Sequence, residues 1–248
     1  MFLIMNNEKI KQIFSKKRIV FLILFFVLVL VGKKINFSPV VGADNQFFTL
    51  FQFFGPLAGS FLNPIFGIVS VLLVQLADFL IVGKEFGLIN LLRLLPMLFA
   101  VYYFGTKKKS WGVIIPLVCI FLFIIHPIGR QVWFFSLYWL IPVFGKILPE
   151  KIKGQLFFKS YGATFTAHAV GSTIWLYTVP MAAGQWISLI PIVAYERFLF
   201  GLGIAGSYIV FNTVLDYVLD RWKITIPTKV LFLDKRYNLM KLLHLKKN

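Results

Sequence analysis

Residues 65–82 have the sequence IFGIVSVLLVQLADFLIV, in which Asp78 is the only charged residue. A helix that crosses a membrane needs about 20 consecutive, mostly apolar residues, whereas a surface helix of a soluble protein carries a broad polar face. This run has no such face. It therefore predicts a helix surrounded by lipid or by other helices.

Seven further apolar runs extend this pattern along the chain. They lie at about residues 19–38, 47–62, 88–104, 111–126, 132–148, 161–180 and 187–217. The composition agrees, since 59% of the 248 residues are hydrophobic and 14% are charged, whereas soluble domains carry about 25% charged residues. The sequence predicts an all-α integral membrane protein, a polytopic bundle of about six to eight transmembrane helices.

Two features indicate how these runs connect. The link at residues 62–65 is short enough to require a tight hairpin, and Gly55 and Gly59 form a small-x-x-x-small face that lets helix backbones approach. The last run is too long for one simple span, and Glu196-Arg197 divides it. We interpret residues 186–195 as a half-helix or the outer part of a long bent helix, and residues 198–218 as the last span.

The charge distribution predicts the orientation of the bundle. The net charge is +17, and the cations cluster at the ends of apolar runs, as at Lys16–Arg18 and Lys107–Lys109. This pattern is typical of anchors that face anionic headgroups, and it argues against a nucleic-acid partner. With both termini cytoplasmic, the predicted outer loops contain only Lys84 and Arg130 as cations. The sequence thus predicts a multi-pass protein of the cell membrane, with Lys33 and Lys34 as exceptions to the rule.

Three regions follow from this scheme. Residues 1–18 form a cytoplasmic amphipathic N-terminus, residues 19–219 the transmembrane bundle, and residues 220–248 a basic amphipathic cytoplasmic tail. The tail is interpreted as an interfacial helix, with a disordered basic segment as the alternative. A cleaved signal peptide ending near residues 41–43 is the alternative for the first span, but Lys33 and Lys34 separate that site from the apolar stretch.

Ionisable residues inside the runs indicate a candidate site. A charge at the centre of a membrane helix costs about 2.5–3.5 kcal/mol, so these residues are expected to face the bundle interior. Asp78 and Arg93 could pair across a hairpin, as a purely structural ion pair or as ligand contacts. The candidate ligand-binding residues near the outer side are Asp78, Asn90, Arg93, His126, Arg130, Trp133, Trp186 and Glu196, with His168 and Arg197 as secondary candidates.

Other motifs favour structural explanations. Residues 201–206 match G-x-G-x-x-G, but they lie in an apolar run, which favours close helix packing over dinucleotide binding. Hydrogen-bonded structural roles for His126 and His168 are favoured over a metal pair. The single Cys119 forms neither an internal disulfide nor a metal motif. We therefore expect no metal and no cofactor.

Residues 47–115 resemble the substrate-binding S components of energy-coupling-factor (ECF) transporters, especially the riboflavin-type subunits. The resemblance rests on FGPLAG at residues 54–59, FGIVSVLL at residues 66–73, the helix predicted at 88–103 and the basic turn at 107–109. It implies a subunit that captures a vitamin-like molecule from outside, with a coupling subunit and ATPases as partners. Residues 132–180 would be an added hairpin, and the bulky residues 21–31 differ from the small residues that such subunits present for docking.

The leading functional hypothesis is a solute-binding or transport subunit for a small vitamin-like molecule. The alternatives are a membrane enzyme acting on a lipid or lipid-linked substrate, and a scaffold or assembly protein. In the enzyme, His126 or His168 would act as base with Asp78 or Glu196 as partner. The chain carries no ATPase or hydrolase motif, so enzymatic activity is the less favoured hypothesis.

Overall fold

The computed structural model describes residues 16–39, 47–83, 85–149, 152, 154–221 and 232–240. Residues 1–15 of the predicted amphipathic N-terminus, and most of the predicted tail, lie outside them. The described chain is mostly helical. Its helices are α1 (Lys16–Lys34), α2 (Phe51–Phe54), α3 (Leu57–Leu62), α4 (Pro64–Ile81), α5 (Leu88–Leu92), α6 (Leu95–Gly105), α7 (Lys109–Ile125), α8 (Pro127–Gln131), α9 (Leu140–Ile147), α10 (Gln155–Thr178) and α11 (Ala183–Arg221), with 3-10 helices at Trp133–Trp139 and Lys235–Tyr237.

Three helical segments of the described chain are long and apolar enough to cross a membrane: Pro64–Ile81, Leu88–Gly105 and Ala183–Val218. Many of their apolar side chains point away from the protein, as Leu73 does at 60% exposure. Large continuous apolar surfaces of this kind are rare in soluble monomers and cost nothing in lipid. The fold is therefore compatible with a helical membrane protein.

A two-stranded antiparallel hairpin corrects the all-α prediction. β1 (Asn36–Pro39) pairs with β2 (Phe47–Thr49), so the first helix ends at Lys34 and not near residue 38. Pro39 disfavours the helical conformation at the residue before it, which helps to keep this stretch extended. The run predicted as a span at 47–62 is divided as well, because α2 ends at Gly55-Pro56 before α3 begins.

The link between α3 and α4 is the predicted tight hairpin. Asn63 has a positive φ of 78°, and its side chain accepts from the backbone N–H groups of Ile65 and Phe66, while Pro64 occupies the first turn. The predicted close approach at Gly59 is confirmed, since an added Cβ there would overlap the backbone carbonyl of Val101 on α6. These contacts pack α3, α4 and α6 into one unit.

Helix α10 lies at the centre of the bundle and packs against α6, α7, α9 and α11. Its small and hydroxyl residues are buried, including Thr164, Thr166 and Thr173. The hydroxyls of Thr166 and Thr173 each donate to the carbonyl four residues earlier, at 2.8 Å. Residues 164–173 thus pack α10 against its neighbours, with His168 as the exception treated below.

Helix α11 is continuous over 39 residues, so of the two interpretations of residues 186–195 the half-helix is wrong, and the outer part of a long helix agrees with the structure. At 1.5 Å per residue its length is about 58 Å, more than the roughly 30 Å hydrocarbon core of a bilayer. Residues 201–206 lie inside it, in agreement with a packing role. An added Cβ at Gly201 would meet Tyr161 and one at Gly203 would meet Phe53, whereas Gly206 has no neighbour within 4 Å.

The described part of the tail, residues 232–240, folds back onto α11. Asn212 exchanges two hydrogen bonds with the Asp234 backbone, at 2.6 and 2.9 Å, and Asp216 accepts from Asn238. A single 3-10 turn at Lys235–Tyr237 replaces the interfacial helix predicted for this stretch. The hydrogen bond from Arg236 to Asp234 lowers the pKa of that carboxyl.

Candidate ligand-binding site

A cavity of about 640 Å³ opens at one end of the bundle. At this end α1 and α4 end, α5 begins, and the β-hairpin lies. We call it the cavity end. The volume falls within the roughly 300–1,000 Å³ of small-molecule sites. Its walls are aromatic and apolar on several sides, with charged groups among them. Residues from seven α-helices, one 3-10 helix and the hairpin contribute to the lining, so the cavity depends on how these elements pack together.

The cavity brings together most of the residues expected from the sequence. Seven of the ten candidates line it: Asp78, Asn90, Arg93, His168, Trp186, Glu196 and Arg197. His126, Arg130 and Trp133 do not. The His126 side chain instead accepts from the Ile128 N–H at 3.3 Å and so caps α8, which supports its structural interpretation.

Asp78 forms an ion pair with Lys33, with 2.6 Å between the Lys33 Nζ and a carboxylate oxygen. Both side chains are largely buried, so the pair is shielded from water. This geometry corrects the expected pairing of Asp78 with Arg93. Lys33 is one of the two cations that disagreed with the predicted charge distribution, and a role at the cavity explains why it lies at this end.

The Arg93 side chain contacts the aromatic ring of Trp175 and the side-chain amide of Asn90. Its guanidinium carbon lies 4.8 Å from the ring centroid of Trp175, and Nη1 donates to Asn90 Oδ1 at 3.3 Å. The Arg93 Nε is buried and finds no acceptor among the described residues. Gln75 fixes the same region, since its Nε2 donates to the Leu94 carbonyl at 3.3 Å and ties α4 to the start of α6.

Glu196 and Arg197 lie deeper along α11 and form an ion pair at 3.2 Å. The Arg197 guanidinium carbon is 4.5 Å from the ring centroids of both Phe48 and Phe200, and the residue is 2% exposed. A desolvated guanidinium between two aromatic faces is well stabilised. Because Phe48 belongs to β2, the hairpin covers this charge.

His168 lines the cavity from α10. Its Nδ1 accepts from the indole Nε1 of Trp139 at 3.0 Å. An indole N–H can only donate, so Nδ1 must be unprotonated, and the ring is neutral with its proton on Nε2. His168 therefore offers the cavity a hydrogen-bond donor, and of the two histidines considered as a base it is the one at this site.

Trp186 completes the wall next to His168. Its ring packs edge-on against Phe123 and Phe135, at centroid distances of 5.3 and 5.1 Å. The residue is 1% exposed, and its Nε1 has no acceptor among the described residues. The Trp175 Nε1 is in the same situation.

Several lining residues were missed at the sequence level. They are Lys33, Lys34, Gln75, Trp175 and the hairpin residue Phe48. Lys33 and Lys34 did carry a signal, because they are cations on the predicted outer side of the membrane. Trp175 and Phe48 carried none, since aromatic residues occur throughout the chain.

Comparisons with known proteins identify one similar sequence. No family model matches this chain, and no solved structure matches it. The chain is 28% identical over 174 residues to the uncharacterized protein MJ0923 of Methanocaldococcus jannaschii. The match covers 64% of this chain and 58% of that protein, so less than two thirds of the relative's length is spanned. Neither the family models nor the solved structures support the resemblance to ECF S components, which remains a hypothesis.

Proposed function

We propose that this protein is a multi-pass membrane protein that captures a small, vitamin-like molecule from the outer side of the cell membrane, as a solute-binding or transport subunit. The observation that carries the proposal is the cavity of about 640 Å³, which combines buried charges with aromatic walls. Buried charges are expensive, above all in a membrane, and are usually kept for a function. The mechanism is binding and reorientation, without covalent chemistry.

The charges at the end of the bundle opposite the cavity support an orientation in which the cavity faces the outside of the cell. Lys107, Lys108 and Lys109 are exposed where α6 ends, and the Lys159 Nζ lies 4.3 Å from the Phe104 ring centroid at the same end. We call this end the basic end. Cations near membrane helices favour the cytoplasmic side, so we assign the basic end to the cytoplasm and the cavity end to the outside, in line with the cytoplasmic termini expected from the sequence.

The resemblance to ECF S components adds partners to the proposal. A coupling subunit and ATPases would complete the transporter, and anionic lipid headgroups would contact the basic end. The central position of α10 bears on this comparison, because α10 comes from the stretch expected as an added hairpin. An addition at the edge of the bundle would not lie at its centre, so the position of α10 differs from that expected of an added hairpin.

The proposal is tested by purifying the protein from its own membranes into lipid nanodiscs and identifying bound small molecules by native mass spectrometry. We expect a non-lipid solute in the wild type and its loss in Trp186→Ala, because Trp186 is buried in the cavity wall. Trp133→Ala is the matched control, since Trp133 is 51% exposed and lies outside the cavity. Finding only lipid, or equal solute in all three proteins, would contradict the proposal.

A further inference from the structure

The charges that line the cavity do not balance. The described lining contains four cations, Lys33, Lys34, Arg93 and Arg197, and two carboxylates, Asp78 and Glu196. Both carboxylates are already engaged, with Lys33 and with Arg197. No ion pair of Lys34 or Arg93 occurs among the described residues. The lining thus carries an excess of positive charge, with Arg93 partly buried and Lys34 exposed, and such an excess attracts an anion.

The hydrogen-bonding groups show the same imbalance. Four buried N–H groups on lining residues lack an acceptor in the part of the chain that is described: Arg93 Nε, Trp175 Nε1, Trp186 Nε1 and Arg197 Nε. Arginine and tryptophan side chains can only donate hydrogen bonds. His168, whose Nδ1 is occupied by Trp139, adds a further donor. Buried donors in native proteins are nearly always satisfied, so unmatched donors on residues that line the cavity favour a ligand rich in acceptors.

The aromatic walls limit the shape of that ligand. Arg93 is stacked on Trp175, while Trp186 and Phe135 form a neighbouring apolar wall. A planar ring packs well against such faces. We infer that the captured molecule is a small organic anion, in which a carboxylate or phosphate group is joined to a planar apolar part. This inference rests on the proposed function and names the ligand class of the same cavity.

The oxyanion could come from two sources, a free solute or the headgroup of an anionic lipid. Both would supply the same acceptor oxygens. They differ in access, because a soluble ion reaches the cavity from water and a headgroup only from the bilayer. The experiment therefore compares soluble probes in nanodiscs of phosphatidylcholine with nanodiscs that also contain phosphatidylglycerol.

The test measures thermal unfolding of the full chain in phosphatidylcholine nanodiscs, titrated with sodium benzoate or with benzamide at constant ionic strength. The two probes share a planar ring and differ in charge. We expect benzoate to raise Tm with a midpoint concentration at least about tenfold below that of benzamide, because charge-assisted hydrogen bonds are the stronger ones. Arg93→Gln and Lys34→Gln should each reduce this preference. Arg130→Gln should keep it, since Arg130 is an exposed arginine outside the cavity.

Each outcome has a defined meaning. A preference for benzoate that both cavity variants weaken supports the inference with a soluble anion. If phosphatidylglycerol raises Tm in the wild type but not in Arg93→Gln, and benzoate adds nothing further, the anion site is supported and its occupant is a lipid headgroup. Equal effects of benzoate and benzamide, no effect of either benzoate or phosphatidylglycerol, or a preference for benzoate that the cavity variants leave unchanged would overturn the inference. If native mass spectrometry then still finds a neutral solute, the proposed function stands and only the inference of an anionic ligand fails.

Discussion

The ion pair of Lys33 and Asp78 links the end of α1 to the end of α4. We expect Asp78→Ala to lower the free energy of unfolding by about 1–3 kcal/mol, because it removes the carboxylate that faces a largely buried ammonium group. The double variant Lys33→Ala/Asp78→Ala should lose less than the sum of the two single variants. Denaturant titration of the four proteins in detergent measures this coupling.

Arg236 provides the matched control for this prediction. It also pairs with an aspartate at short distance, 2.7 Å to Asp234, but its side chain is 64% exposed. Water screens such a pair, so Arg236→Ala should cost only about 0–1 kcal/mol. Additive losses at Lys33 and Asp78, or equal losses at the buried and exposed pairs, would show that burial does not strengthen the contact.

At the level of single residues, the sequence predicted the ionisable groups of the cavity more accurately than it predicted the partners of those groups. Asp78, Arg93, Glu196 and Arg197 were expected to face the interior because a charge in lipid is costly, and all four line the cavity. Their pairing depends on how α1 lies against α4, which spacing along the chain does not specify. His126 and the exposed Trp133 were grouped with the site by their predicted depth alone.

Among the packing elements, the contact of α3 with α6 depends on Gly59. A methyl group there would overlap the Val101 carbonyl, a backbone atom that cannot move without shifting α6. We expect Gly59→Ala to lower the free energy of unfolding by about 1–3 kcal/mol, the usual cost of overpacking. Gly206→Ala is the control, since Gly206 lies in α11 and has no neighbour within 4 Å of the added group. There the gain in helix propensity should stabilise the protein by up to about 1 kcal/mol. Thermal unfolding that ranks the two variants in the opposite order would refute this packing argument.

The segment 232–240 is held on α11 chiefly by polar contacts, with Asn212 bonded to the backbone of Asp234. Asn212→Ala removes two hydrogen bonds and should weaken docking by about 1–3 kcal/mol. Trypsin should then cleave after Lys235 or Arg236 severalfold faster, which the fragment masses would show. Val214→Ala is the control, because Val214 is 53% exposed on the same helix. Equal cleavage of both variants would mean that Asn212 does not hold the segment.

The elements that the sequence predicted well are those with a long, uninterrupted apolar run. The predictions of residues 65–82 and 111–126 agree within two residues with α4 and α7. The β-hairpin was missed because FFTLFQFF at residues 47–54 is mostly apolar, and a short apolar run does not distinguish a strand from a helix. A division of α11 was expected at Glu196-Arg197, because a charged pair inside an apolar run suggests a break in the helix. The helix instead continues through this pair, whose side chains line the cavity.

On the scale of the whole molecule, the helices become more polar from the outside of the bundle towards its centre. The outer helices α4 and α7 are apolar and expose much of their surface, whereas the central helix α10 carries serine, threonine and glycine and is covered by its neighbours. Small residues let α10 approach four other helices, and its hydroxyls bond to its own backbone. The cavity lies beside this central helix, which contributes His168 and Trp175 to its lining.

The orientation of this cavity is the last prediction. In a background of Cys119→Ala, a membrane-impermeant maleimide is applied to intact cells that carry Glu85→Cys at the cavity end or Ser110→Cys at the basic end. Both positions are exposed. Because lysines near membrane helices favour the cytoplasmic side, the reagent should label Glu85→Cys alone, and permeabilised cells should show labelling of both. Labelling of Ser110→Cys alone would invert the bundle and exclude capture from outside. Labelling of both in intact cells would mean that the two ends are not separated by a membrane.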